Sequence, residues 1–113
     1  MPKIRRYCGP VILEFNGDNI REYCGPIIYT VEGNNIRRYC GPVVFQIDGE
    51  YIRRYCGPRF LQFEGNYVRE YCGGIIYQIE GNRLRKYCGP VIYEAEGFMS
   101  DRDWKVFISI LHG

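Results

Sequence analysis

Apolar and polar residues alternate along short stretches of this chain, and the alternation restarts at a fixed interval. Ile27-Ile28-Tyr29-Thr30-Val31-Glu32 is β-branched and aromatic, and Ile36-Arg37-Arg38-Tyr39-Cys40 continues the alternation after a break. Runs of this kind favour strands whose side chains point to opposite faces in turn. Each break begins with glycine, as in Gly25-Pro26 and Gly33-Asn34. Glycine suits the first central position of a type II′ hairpin turn, and the fixed φ of proline fits the second. Six strand residues and two turn residues, taken twice, fill a 16-residue unit.

The cysteines give the same period. Cys8, Cys24, Cys40, Cys56, Cys72 and Cys88 are each 16 residues apart, so that six units run over 4–99. One such unit cannot bury its apolar face alone, so all six are read as one array. Pairing six-residue strands places Arg37 between Thr30 and Gln46, Arg21 between Glu14 and Thr30, and Arg85 between Gln78 and Glu94. It also places Tyr39 between Ile28 and Val44, and Ile36 between Val31 and Ile47. Polar then opposes polar and apolar opposes apolar, which cross-strand pairing rewards. The expected fold is mainly β: an antiparallel β-meander of about twelve short strands in a single twisted, curled sheet. The alternative is a parallel β-solenoid with a helical cap, one unit per coil. That fold would stack Arg5, Arg21, Arg37, Arg53, Arg69 and Arg85 about 4.8 Å apart, a like-charge ladder that disfavours it.

In the meander one face carries Val31, Tyr29, Ile27, Ile36, Cys40 and their equivalents, interrupted only by the Arg38/Glu22 column. That face is expected to be buried. The other carries Thr30, Glu32, Arg37 and Asn35 with a row of Ile28 and Tyr39, and is expected to meet water. After the repeats, Ser100 reads as a helix N-cap with Asp103 three residues on and Asp101 in the first turn. Trp104, Phe107, Ile108 and Leu111 follow at i, i+3, i+4 and i+7, an apolar stripe on a helix over 100–112. A helix of about 12 residues is about 18 Å long, whereas a flat twelve-stranded sheet would be roughly 55 Å wide. The sheet must therefore curl around its apolar face or pair with a second copy, and the helix is expected to cap its C-terminal end. The first strand, from Lys3 to Cys8, is expected to be a free edge open to self-association, blunted by Lys3, Arg5 and Arg6. Residues 1–113 are read as a single repeat domain.

Composition narrows the function classes. The net charge of +2 calls for neither nucleic acid nor an anionic membrane. No apolar run is long enough for a membrane span, and Met1-Pro2-Lys3-Ile4-Arg5-Arg6 is no signal peptide, which points to the cytoplasm. There are eleven tyrosines and fourteen glycines, but two serines, one threonine and one histidine, poor stock for nucleophilic or acid–base catalysis. Every glycine is accounted for by a hairpin turn, so there is no phosphate-cradling loop. The expectation is a protein that is not an enzyme, with no cofactor, no metal and no small-molecule substrate.

In architecture the Tyr- and Gly-rich hairpins resemble MORN-type meanders and choline-binding repeats. The Tyr-Glu-Gly signature of the former and the paired tryptophans of the latter are absent, so the resemblance implies no function. The leading expectation is a repeat scaffold or protein-interaction module, natural or idealised, that binds a protein partner or itself. The second is a single-stranded nucleic-acid platform on the Arg/Tyr face, formed by Arg21, Tyr23, Arg37, Tyr39, Arg53, Tyr55, Arg69 and Tyr71. Acids near Glu32 on that face argue against it. The third is a thiol or metal array on the cysteines. Neighbouring cysteines on alternate strands stand roughly 10 Å apart, too far for a disulfide. A zinc site would need converging ligands, and no CxxC or second His is present, so cysteine is expected to serve as a small apolar residue. Arg59 and Gly74, which replace an apolar residue and a proline, are read as drift, and His112 as solvated.

Overall fold

Two kinds of turn alternate along the chain, and their difference sets the register of the whole sheet. The computed structural model describes residues 2–112, except the side chain of His112, so the reading of His112 as solvated lies outside the described residues. The strands are β1 (Lys3–Arg6), β2 (Val11–Asn16), β3 (Asn19–Glu22), β4 (Ile27–Glu32), β5 (Asn35–Arg38), β6 (Val43–Asp48), β7 (Tyr51–Arg54), β8 (Arg59–Glu64), β9 (Tyr67–Glu70), β10 (Ile75–Glu80), β11 (Arg83–Lys86) and β12 (Val91–Glu96). Helix α1 (Asp101–His112) follows. Every described pairing is antiparallel between neighbours, which excludes the solenoid.

The Gly-X turns are as expected. Gly17 takes a φ of 64° while Asp18 stays out of the left-handed region, the type II′ pattern. The Gly-Pro turns are not. There the turn runs Arg6-Tyr7-Cys8-Gly9, closed by the Gly9 N–H donating to Arg6 O at 2.8 Å. Cys8 holds a φ of 58° at the third position, where a type II turn needs a left-handed residue. Proline follows the turn, and Pro10 O accepts the Arg6 N–H at 3.2 Å. Glycine at position 9 relieves crowding, since a Cβ there would stand 3.1 Å from the Arg6 Cβ, a tight contact. Gly74 in place of proline keeps the pattern, because its carbonyl accepts the Glu70 N–H at 3.2 Å. The six-plus-six division of the unit is therefore corrected to four- and six-residue strands, the longer turn having consumed two positions of the shorter strand.

Pairings across the Gly-X turns match the expected register: Glu14↔Arg21, Thr30↔Arg37, Val31↔Ile36 and Gln78↔Arg85. Across the Cys turns each ladder carries a bulge. Arg37 faces Val43 rather than Gln46, and Ile36 faces Phe45 rather than Ile47. Arg21 faces Ile27 rather than Thr30, and Arg85 faces Val91 rather than Glu94. Tyr39 lies in a turn, where its N–H reaches Ile28 O at 3.0 Å; Val44 O instead accepts the Tyr55 N–H. The bulge also inverts one pair of columns, as an extra residue in one strand does. Ile12, Ile28, Val44, Phe60, Ile76 and Ile92 pack against the core, while Ile27 and its equivalents do not. Arg59 thus replaces an outward residue, and no core position is disturbed.

The first and last strands pair, so the sheet is a closed barrel. β1 meets β12 with Lys3↔Glu96 and Ile4↔Ala95, the register that Asn35↔Glu32 and Ile36↔Val31 keep inside a hairpin. The seam repeats the internal geometry, and the ring has six-fold pseudosymmetry. The expected free N-terminal edge does not exist among the described residues, because six units bring β1 round to β12.

Helix α1 does not cap an end; it fills the lumen. Its N-terminus carries the expected box, with Asp103 N–H donating to Ser100 Oγ and Ser100 N–H donating to Asp103 Oδ2, both at 3.2 Å. Trp104, Phe107 and Ile108 are buried on the expected stripe, but so are Val106 and Ser109 on other sides. A helix buried all round is enclosed. The Ser109 hydroxyl satisfies itself on Lys105 O at 2.6 Å. Arg102 reaches Gly33 O at 2.8 Å and Lys105 reaches Gly49 O at 3.1 Å, placing the start of the helix at the Gly-X rim. Phe107 meets Tyr93 edge-on at 5.3 Å deeper in, and Leu111 emerges among the Cys turns. The result is a disc 37 × 34 Å across and 18 Å thick.

Candidate functional site

Five positions carry the same residue in all six units: the arginine of Arg5, the tyrosine of Tyr7, Cys8, and the glycines of Gly9 and Gly17. Local structure explains four of them. Gly9 is favoured by space and Gly17 by its φ of 64°. Each arginine folds its guanidinium onto its own turn, with Nε and Nη2 both donating to the glycine carbonyl four residues on; in Arg37 the distances to Gly41 O are 3.1 and 2.8 Å. The same fork recurs at Arg5, Arg21, Arg53, Arg69 and Arg85. In four units Nη1 also meets an acid, as in Arg37–Glu32 at 2.7 Å and Arg69–Glu64 at 2.9 Å. Arg21 has Asn16 in place of that acid, and Arg53 has the shorter Asp48, which pairs with Arg59 at 3.1 Å and raises the Arg59 pKa.

The tyrosines lie against the neighbouring Cys-turn hairpin. Tyr71 and Tyr87 meet Tyr51 and Tyr67 edge-on at 5.7 and 6.0 Å, while Lys3 lies over Tyr23 at 5.3 Å and Arg83 over Tyr7 at 5.4 Å across the seam. Where that neighbour is asparagine the ring is barer: Tyr39 and Tyr55 are 53% and 51% exposed, the others 43–46%. Of the predicted surface, Arg21, Arg37, Arg53 and Arg69 are thus anchors of their own turns. Tyr23, Tyr39, Tyr55 and Tyr71 form an exposed ring at one rim. The two sets do not converge on a shared groove.

Comparison with protein-family models, with curated proteins and with solved structures finds no match.

Cysteine is the fifth invariant position, and packing does not explain it. All six are exposed and unbridged, which corrects their assignment to the buried face. All six also hold φ between 55° and 60°, a region that disfavours any residue with a Cβ. They sit at the tips of the turns, on one end of an up-and-down barrel, and so form a ring of thiols on one rim. No group of three or more metal-ligating side chains converges among the described residues.

Inside that ring lies the mouth of the lumen. Its floor is the end of α1, with Ile110 and Leu111 half-buried beside Ile12, Ile28 and Ile92. Its collar is the column of Arg6, Glu22, Arg38, Arg54, Glu70 and Lys86, all exposed. Arg38 pairs with the inward Tyr29 and therefore shares its face. Two recesses of about 500 and 490 Å³ flank Leu111, and Arg6 lines both. In the sequence this column showed only as an interruption of the apolar face; a charged column recurring in every unit was the available signal. At the opposite rim a recess of about 560 Å³ lies among Glu50, Asn66, Met99, Asp101, Trp104 and Lys105. No helix among the described residues is long and apolar enough to cross a membrane.

Proposed function

We propose that this protein is a non-enzymatic interaction module, a rigid ring that offers its Cys-turn rim to a protein partner. One observation carries the reading: a single exposed Tyr-Cys-Gly turn is presented six times around one rim of a closed ring. Exposed aromatics around an apolar floor with a charged collar are the composition that protein interfaces favour. The lumen is occupied by α1, which leaves recesses at its two mouths rather than a through-cavity. Nucleic acid draws little support from this surface, because the arginine forks are spent on glycine carbonyls and acids. The reading places the protein in the cytoplasm, where surface thiols stay reduced until an oxidised small-molecule disulfide reaches them.

The test is a photo-crosslinking amino acid placed at Tyr39 on this rim or at Asn34 on the other, in the cells that produce the protein. Protein crosslinks from Tyr39 with none from Asn34 support the proposal. Crosslinks to nucleic acid, equal yields from both rims, or none at all overturn it.

A further inference from the structure

The thiol ring lies on one face only, and that geometry selects a partner. We propose that the Cys-turn rim docks on the same rim of a second copy, and that disulfide exchange locks the two discs face to face. The inference rests on the rim being a docking surface.

Four observations converge on a second copy. First, neighbouring cysteines within a ring stand roughly 10 Å apart, so no thiol reaches another in its own chain. Second, the pseudosymmetry of the ring makes stacking collective. A two-fold axis across the rim that sets one cysteine opposite a cysteine of the second copy sets all the others opposite as well. Third, the collar is partly complementary to itself, with two acids among four bases. It reads basic, acidic, basic, basic, acidic, basic around the ring, from Arg6 to Lys86. Glu22 and Glu70 stand on opposite sides, so most settings that align the thiols place both acids against bases. Fourth, the face is large enough: a disc 37 × 34 Å across offers on the order of 1,000 Å², against roughly 800 Å² per partner in a standard interface.

The chemistry needs an oxidant, here a small-molecule disulfide such as oxidised glutathione. A rim thiolate attacks its S–S bond, forming a mixed disulfide and expelling one glutathione thiolate. The facing thiolate of the second copy then attacks the protein sulfur of that mixed disulfide. The interchain S–S bond forms and the second glutathione leaves. For each bridge, two protein thiols lose two electrons and two protons, and one glutathione disulfide is reduced to two thiols. Fixed turn tips at matched positions favour the second step over a second capping event.

Because every thiol lies on the docking face, the reaction has a built-in stop. Reduced protein is exposed to oxidised glutathione and followed by non-reducing electrophoresis, intact mass and light scattering. The expected product is a dimer of twice the 13.3 kDa chain that grows no further and returns to monomer with reductant. A ladder of trimers and larger species would mean unordered crosslinking, and monomers carrying up to six glutathiones would mean no docking; either overturns the proposal. The double variant Glu22→Lys/Glu70→Lys makes the collar wholly basic at exposed positions. It should cut dimer yield at low salt several-fold, with glutathione-capped monomer appearing instead while circular dichroism shows the variant folded. An undiminished yield overturns the role of the collar. If Tyr39 crosslinks a different protein while glutathione only caps the rim, the second-copy inference fails and the module reading stands.

Discussion

Arg5 Nη1 lies 2.8 Å from Glu96 Oε1, and the bond joins the first strand to the last with the geometry that Arg37 and Glu32 use inside a single hairpin. Backbone bonds repeat the equivalence. Tyr7 N–H donates to Ile92 O at 3.0 Å across the seam, as Tyr23 N–H donates to Ile12 O at 3.1 Å within the array. Hydrogen exchange should therefore protect the Tyr7 amide as well as that of Tyr23. An open sheet would leave Tyr7 exchanging at the rate of a free amide, and that result would refute closure.

The helix supplies the filling of the lumen, and Phe107 is its largest fully buried side chain, 1% exposed and edge-on to Tyr93. Phe107→Ala should cost about 3–5 kcal/mol, because the barrel wall is fixed by hydrogen bonds and collapses poorly into the cavity. Denaturant titration gives the number. A loss under 1 kcal/mol would show that α1 does not pack as described.

Much of the array was legible in the sequence, and the part that was not has one cause. The strands, the antiparallel order, the Gly-X turns and the Ser100–Asp103 cap all follow from local chemistry, and they are found. The Cys turn was misplaced by two residues because Gly25-Pro26 satisfies the same preferences as the type II′ pair. Only the left-handed φ at Cys24 distinguishes them, and cysteine gives no sign of it. From that slip came the inverted Ile27/Ile28 columns and the shifted pairings. Closure itself depends on the angle between units, which no local pattern records. Charged Arg38 and Glu22 on the apolar face pointed to the mouth, but only a closed barrel has one.

Left-handed backbone at the cysteines suggests a substitution that strengthens the fold. Cys40→Gly removes the Cβ where φ is 57° and should gain up to about 1 kcal/mol. Cys40→Val should lose at least as much, because β-branching makes that φ worse. Melting temperatures of the reduced variants decide it. Equal temperatures for both would mean that the turn carries no strain.

Asn35 occupies the place that tyrosine takes in two later units, and its Oδ1 is buried without a hydrogen-bond partner. Asn35→Tyr should let the new ring meet Tyr55 as Tyr51 meets Tyr71, adding about 0.5–1.5 kcal/mol. Greater stability together with quenched solvent access of Tyr55 is the expected outcome. Loss of stability would show that the outer-wall contact is not transferable between units.

Burial, reinforced by the nearby phenol of Tyr93, raises the pKa of Tyr77 above its ordinary value near 10. The folded protein holds that proton more tightly than the unfolded chain. Its contribution to stability is complete below about pH 10 and is lost as pH rises through the higher folded value. Denaturation midpoints should fall above pH 10, and Tyr77→Phe should flatten the fall. A Phe variant with the parent slope would assign the alkaline sensitivity elsewhere.

The enclosed helix also acts as a gauge. Barrel diameter grows with strand number, and each unit adds two strands. Six units enclose one helix; an array of five units would have a narrower bore and one of seven a wider. Duplication by itself has no stopping point, but a ring that must grip a single cylinder has one. The copy number of the hairpins is thus counted by the last twelve residues of the strand–helix array, Asp101–His112, which contain no hairpin at all.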